Sequence, residues 1–250
     1  MEIIVIIGVK PQGKAINTGV ARAKGEYLVI LDDDSRIRDR DTIAKIIAAL
    51  RGDPKIGMAG ASIIQPVDAT RFQRFVAREF PRFNMPVMDT LTDSDMACHG
   101  CCGFRREVFE EIGREPEDIV RGLDPILRAQ LRSRGYRVVL VPHASVSHPV
   151  PGSIRELCKM FYRNGRGSAY AQRSRPDMVF DTHEKAEWQG ENLHTPLWQR
   201  AFRFPLRSLC RLFSGHPVRA LGDIVYLIGY ARESFAGTQA SRDGTARKAP

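Results

Sequence analysis

The stretch YLVILDDD, residues 27–34, constrains this chain more than any other. An aliphatic run of this length predicts a buried strand, and it runs directly into three acids. Asp32 and Asp34 are two residues apart, so in extended geometry their side chains share a face. Two carboxylates side by side repel each other unless a cation lies between them. The carboxyl end of a strand in an open α/β sheet is also where ligands bind. The pattern therefore points to a hard divalent ion held by oxygen, Mg2+ or Mn2+, bridging to substrate phosphates. The plain alternative is an acidic loop surrounded by water.

The flanking sequence fits an α/β fold with a mostly parallel sheet. EIIVIIG (2–8) predicts a buried strand, and AINTGVARAKG (15–25) a helix closing on Gly25. Asp41 can cap the helix TIAKIIAALRG (42–52), and IGMAGASII (56–64) predicts the next strand. Strand alternating with helix implies a parallel sheet covered by helices. The rhythm then breaks. An inserted helix, ATRFQRFVAREF (69–80), is followed by an irregular stretch, short helices at 105–113 and 125–135, and a strand YRVVLVP that Pro142 should stop. The expected division is a catalytic domain over 1–150, a basic helical extension or lid over 151–236, and a disordered small, polar tail over 237–250.

Charge separates these parts. Of the net +9, residues 1–150 carry 22 basic against 20 acidic side chains, and residues 151–250 carry 16 against 9. The second part combines arginines with apolar helix faces, as in FPLRSLCRLF, which suits an anionic membrane surface; the bland reading is a solvated helical pair. No nucleic-acid partner is expected. No run of 18 apolar residues occurs, so no transmembrane helix is predicted. The start is too short and acidic for a signal peptide. Five cysteines, three of them in ACHGCCGF (97–104), lack a second C-x-x-C partner, so a zinc site has little support. They read as small buried residues in a reducing, cytoplasmic compartment, while the arginine-rich helices suggest peripheral attachment to the inner membrane face.

One motif competes. Gly8, four residues, then Gly13-Lys14 approximates a phosphate-cradling P-loop. Ala15 lacks the hydroxyl that would reach Mg2+, and Pro11 removes an N–H from the cradle. A P-loop-like phosphotransferase is therefore a minor alternative.

KAINTGVARAKGEYLVILDDD resembles the core of the family 2, GT-A fold glycosyltransferases. Lys14, Asn17, Gly19, Ala23, Gly25, Asp32 and Asp34 fall at its motif positions. GCCGFRREVFEEIG (100–113), GLDPILRAQLRSRGYRVVLVP (122–142) and VSHPVPGS (146–153) are similar to three later segments in the right order. The resemblance spans roughly residues 2–170. It implies inverting transfer from a nucleotide-sugar donor to a hydroxyl of a glycan, glycolipid or small-molecule acceptor. It further implies Asp32, Asp34 and His148 as ligands for Mg2+ or Mn2+, with His143 the near alternative. Lys14, Asn17 and Asp33 would bind the donor, and Arg163 and Arg166 would clamp its diphosphate. Asp124 would be the general base, with Asp118 its rival; Asp124 before Pro125 also reads as a helix N-cap. Leu123 replaces the family's glutamate. The family's usual first strand–helix unit has no counterpart ahead of residue 2, so a catalytically inactive fragment or binding module is the other alternative.

Overall fold

The structure is a computed structural model that describes residues 1–178, 187, 188, 190 and 197–242. The chain forms two compact units, whose main boundary falls between Val150 and Pro151, with residues 118–122 assigned to the second.

In the first unit, α1 (Gln12–Arg22) precedes β1 (Tyr27–Leu31), the short β2 (Arg36–Ile37), α2 (Thr42–Gly52) and β3 (Ile56–Ile64). Then come α3 (Arg71–Glu79), the short β4 (Thr92–Asp93), β5 (Cys101–Arg105), α4 (Arg106–Glu111), α5 (Leu123–Ser133) and β6 (Arg137–Ser147). The sheet order is β1-β5-β3-β6-β2, with β4 also pairing β6. The sheet is mixed rather than mostly parallel. Only β3 and β6 pair in parallel, while β5 is antiparallel to both of its neighbours. The parallel expectation holds for direction: β1, β3 and β6 run the same way, as helical crossovers require. The crossover through α2 leaves one place open between β1 and β3, and β5 enters it from the opposite direction. Nothing in GCCGFR announced a strand, yet Cys101, Cys102 and Phe104 are fully buried there.

The segment 2–8 forms no strand, because none of the described elements pairs with it. Ile4 and Ile6 are half-buried, while Ile3, Val5 and Ile7 are exposed. Glu2 is tied down, its Oε1 accepting from the backbone N–H groups of Lys24 and Gly25.

Pro142 does not stop β6. Gly60 pairs with Leu140 and Ser62 with Ser145, so residues 141–144 stand opposite Ala61 alone. This bulge places Pro142 where no ladder N–H is needed, and His143 takes φ 51° within it. The strand then resumes to Ser147 and carries His148 beyond the end of β1. Thr70 and Gln73 form a capping box on α3. Asp41 stands at the start of α2 but makes no capping bond; its carboxylate pairs with Lys45 at 3.0 Å.

In the second unit, α6 (Ile154–Ser174) packs on α8 (Pro217–Arg242), with α7 (Leu197–Phe213) against α8. Gly165 permits the close approach of α6 and α8, since a Cβ there would overlap the Tyr226 carbonyl oxygen. Helix α8 continues to Arg242, past the expected start of the polar tail at 237, and residues 243–250 lie outside the described residues.

Arg105 and Arg106 tie the first unit together. The Arg105 guanidinium donates to the carbonyls of Leu50 (2.7 Å), Pro54 (2.5 Å) and Ile56 (2.8 Å), closing the α2–β3 turn onto β5. Arg106 donates to the carbonyls of Gly25 and Val20 at the end of α1. Replacing Arg105 by Met keeps the bulk and leaves buried carbonyls without donors. Arg105→Met should destabilise the protein by about 2–4 kcal/mol in urea unfolding.

Candidate active site

Asp32 and Asp34 follow β1, and His148 follows β6. One ligand atom from each lies within 4.8 Å of the other two, the sole such cluster among the described residues. His148 Nε2 stands 3.1 Å from Asp34 Oδ1, while its Nδ1 lies 3.0 Å from the Pro149 carbonyl oxygen. A carbonyl can only accept, so Nδ1 carries a proton and donates it there. In the neutral ring, Nε2 then turns a lone pair toward a carboxylate oxygen. A cation between the two resolves that clash, so the donor set fits a divalent ion taking oxygen and imidazole ligands. His143 is elsewhere, exposed and 3.9 Å from Asp89.

Burial raises the Asp32 carboxyl above its ordinary range; the nearby His99 lowers it, and Asp124 and Asp34 raise it again. Gln12, from α1, donates to Asp32 Oδ1 at 3.1 Å. Asp33 and Asp34 also line a cavity of about 360 Å3 with Arg36, Asp68, Gln73 and Ser147.

Asp124 lies inside the first turn of α5 rather than at its N-cap. Its Oδ1 accepts from the His99 backbone N–H at 2.9 Å and lies 2.7 Å from His99 Nδ1. His99 is buried, and its Nε2 is 2.8 Å from Oε1 of the fully buried Glu115. The histidine is thus held between two carboxylates. Burial pushes its pKa down, but Asp124 and Glu115 raise it well above the ordinary 6.5. Burial pushes the Asp124 carboxyl up, but the charge and hydrogen bonds of His99, with Arg128, pull it well below the ordinary 3.8. Arg128 is itself buried beneath the site, donating to the Ala97 carbonyl at 2.8 Å. Its pKa is lowered to about 10 by burial.

The remaining expected residues divide. Asn17 is buried, and its amide clasps both backbone groups of Glu115: Nδ2 donates to the carbonyl at 2.9 Å and Oδ1 accepts from the N–H at 3.1 Å. Its Nδ2 also donates to Glu117 Oε1 at 3.0 Å, so this side chain is spent on the protein. Lys14 is exposed on α1. Gly13 lies inside the same helix against Pro116, whose carbonyl oxygen a Cβ would overlap. The P-loop reading fails here, because Gly13-Lys14 belongs to a helix and not to a loop of inward N–H groups. In the second unit, Arg166 pairs with Glu233 at 2.8 Å, Arg163 is exposed on α6, and Asp118 pairs with Arg175 at 2.9 Å. Burial pushes Cys98 up to about 11 and Cys101 to about 12, and neither belongs to a candidate metal-holding group among the described residues. His99 and Glu115 were missed as site residues. His99 stands among the cysteines of ACHGCCGF, and nothing local links it to an acid 16 residues on.

The model of the family described as "Glycosyl transferase family 2" matches residues 3–113, which include Asp32, Asp34 and His99 but neither Asp124 nor His148. Comparison with curated proteins finds no match. Among solved structures, the fold is similar to the mannosyltransferase PcManGT from Pyrobaculum calidifontis, determined in complex with GDP-Man and Mn2+. The TM-score is 0.53 at 18% identity, covering 92% of this chain and 68% of that one. GalNAc-T7 with UDP, GalNAc and Mn2+ matches at TM-score 0.42 and 18% identity, over 66% of this chain and 38% of that one. Mannosyl-3-phosphoglycerate synthase from Rubrobacter xylanophilus matches at 0.40 and 14%, over 72% and 55%. The match over residues 3–113 is thus to the family 2 glycosyltransferase model, and the chain has a GT-A-like α/β fold.

The His99 cluster has a pH signature. Asp124, with its pKa lowered, contributes stability above about pH 3.8 that is lost as pH falls. His99, with its pKa raised, contributes stability in full below about pH 6.5 that is lost as pH climbs through the raised value. Urea unfolding of His99→Asn against the parent should therefore show its largest gap, about 2–4 kcal/mol, between about pH 4 and 6.5. The gap should narrow on either side.

Proposed function

We propose that this protein transfers a sugar from a nucleoside-diphosphate-sugar donor to an acceptor hydroxyl with inversion at the anomeric carbon. The observation that carries the reading is the Asp32, Asp34 and His148 cluster at the carboxyl ends of β1 and β6, with Asp124 close enough to perturb Asp32. The cluster would hold Mg2+ or Mn2+, which when bound offsets the charge growing on the leaving diphosphate. That PcManGT, of similar fold, was determined with GDP-Man and Mn2+ supports this choice. Asp124 takes the proton of the acceptor hydroxyl as its oxygen attacks the anomeric carbon, and the bonding pair departs with the diphosphate. A single displacement inverts the configuration. Asp33 and the cavity beside it suit recognition of sugar or ribose hydroxyls, with Lys14 free to approach the diphosphate. The acceptor is a glycan, a glycolipid or a small molecule.

Calorimetry with UDP-, GDP- and dTDP-sugars, each with and without Mn2+, tests the donor site. Binding should require Mn2+ for one nucleotide class and weaken at least about tenfold in an Asp32→Ala/Asp34→Ala variant. Asp124→Asn should bind donor normally and lose about 10²–10⁴ in turnover. A folded parent that binds no donor would favour the alternative of an inactive binding module.

A second reading concerns location. Leu206, Leu209, Leu212 and Phe213 are all exposed on α7, beside exposed Arg203 and Arg207. Among the described residues no helix is long and apolar enough to cross a membrane. An amphipathic helix of this kind lies in the interface of an anionic bilayer. Sedimentation with phosphatidylglycerol-containing vesicles should exceed that with pure phosphatidylcholine. Leu212→Ser/Phe213→Ser should weaken it by about tenfold or more.

A further inference from the structure

We propose that His99, fixed from behind by Glu115, is the positioning residue for the base: it locks the Asp124 carboxylate so that Oδ2 alone faces the acceptor. The inference rests on the reading of Asp124 as that base. Three contacts carry it. Asp124 Oδ1 receives both the His99 backbone N–H and Nδ1–H, at 2.9 and 2.7 Å. One residue thus saturates one oxygen from two directions, which sets the torsion of the carboxylate. The side chain stays one third exposed, so Oδ2 is the oxygen open to a ligand.

The ring cannot turn either. Its Nε2 is held by Glu115 Oε1 at 2.8 Å, and side-chain exposure is 3% for His99 and zero for Glu115. Among the described residues Glu115 Oε2 has no hydrogen-bond partner, an unusual cost for a buried carboxylate. Glu115 is held in turn by Asn17, which grips its backbone on both sides. Gly13 lets α1 approach the neighbouring Pro116. A chain of contacts therefore runs from α1 through Glu115 and His99 to the base.

The proton balance is simple. With His99 as imidazolium between two carboxylates, the cluster carries one net negative charge. The acceptor proton moves to Asp124 Oδ2 and the cluster becomes neutral. The Nδ1–H bond to Oδ1 persists throughout, so the carboxyl keeps its aim while its charge changes. Other ionisable groups that act on Asp124 or its neighbours are Arg128 on its own helix, Asp32 after β1, and Cys98 beside His99.

The test compares the parent with His99→Leu, His99→Asn and Asp124→Asn. The probe reaction is Mn2+-dependent hydrolysis of whichever UDP-, GDP- or dTDP-sugar calorimetry shows to bind, with water in place of the acceptor. The amide of His99→Asn can stand near Nδ1 and donate to Asp124, while His99→Leu cannot. His99→Leu should lower turnover about 10- to 100-fold, the scale of a misplaced catalytic group, with donor affinity within about twofold of the parent. His99→Asn should recover part of the rate. Its acidic limb should move to higher pH, because the imidazolium no longer acidifies the carboxyl. A folded His99→Leu that turns over at the parent rate overturns the proposal, as does an equal loss of rate and donor binding in both His99 variants. Asp124→Asn separates the two failures. If it keeps full turnover, the base assignment falls and this inference with it; if it is inactive while His99→Leu is not, only this inference falls. Where His99→Leu does not fold, His99→Asn decides by its acidic limb, and an unmoved limb overturns the proposal. A 13C titration of the Asp124 carboxyl needs no donor: its midpoint should rise in His99→Asn, and an unchanged midpoint is again fatal.

Discussion

Crowded negative charge is the constraint on which the first unit depends. Asp32, Asp34, Glu115 and Asp124 converge around the ends of β1 and β6 and the start of α5; Asp34 is exposed, but full or partial burial makes the other three charges costly. The fold answers differently on the two sides. Around Glu115 and Asp124 it supplies its own cations, His99 between them and Arg128 below. Around Asp32 and Asp34 the hydrogen-bond partners found among the described residues are the neutral Gln12 amide and a His148 ring whose other nitrogen is already committed to Pro149. The first set is internally compensated, and the second is left short of positive charge. That asymmetry suits the proposed reading, in which a divalent ion is recruited beside a carboxylate that takes a proton.

The parts that bring these groups together are irregular. His148 reaches Asp34 because β6 continues past Pro142 through a bulge that absorbs a residue with no N–H to give. His99 reaches Asp124 because β5 enters the sheet antiparallel between β1 and β3, setting the residues just before it beside the start of α5. A regular parallel sheet would satisfy the strand rhythm equally well and would deliver neither histidine.

This separates what was legible in the sequence from what was not. Asp32 and Asp34 were readable from YLVILDDD as acids at the end of an apolar strand, but not through a period of two: β1 ends at Leu31, and a turn closed by the Ser35 N–H on the Asp32 carbonyl sets where the carboxylates point. The helices 42–52, 69–80 and 125–135 were readable from periodicity within one element. The strand at 2–8 was misread because an apolar run specifies a strand only when a neighbour pairs with it. The His99–Glu115 pair and the Asn17 clasp were invisible, since each joins residues on different elements and leaves no local pattern. Asn17 shows the cost most clearly: its place in the helix motif suggested the donor, yet its amide holds the backbone of Glu115, 98 residues on.

Helix α1 then has a different meaning from the one its motif suggests. Gln12 touches Asp32, Gly13 lets the helix lie against Pro116, and Asn17 fixes Glu115. Within two turns, one helix contacts the Asp32 carboxylate and the segment that supports Asp124. Those halves come from β1 and from the loop before α5, which share no strand pairing. In the proposed reaction, a rigid element spanning both would set the distance between the cation and the proton acceptor, and hence between the leaving diphosphate and the attacking oxygen. In-line displacement tolerates little error in that distance. The demand on α1 is therefore geometric before it is chemical, and only Lys14, exposed beside these three, is left to meet a ligand directly.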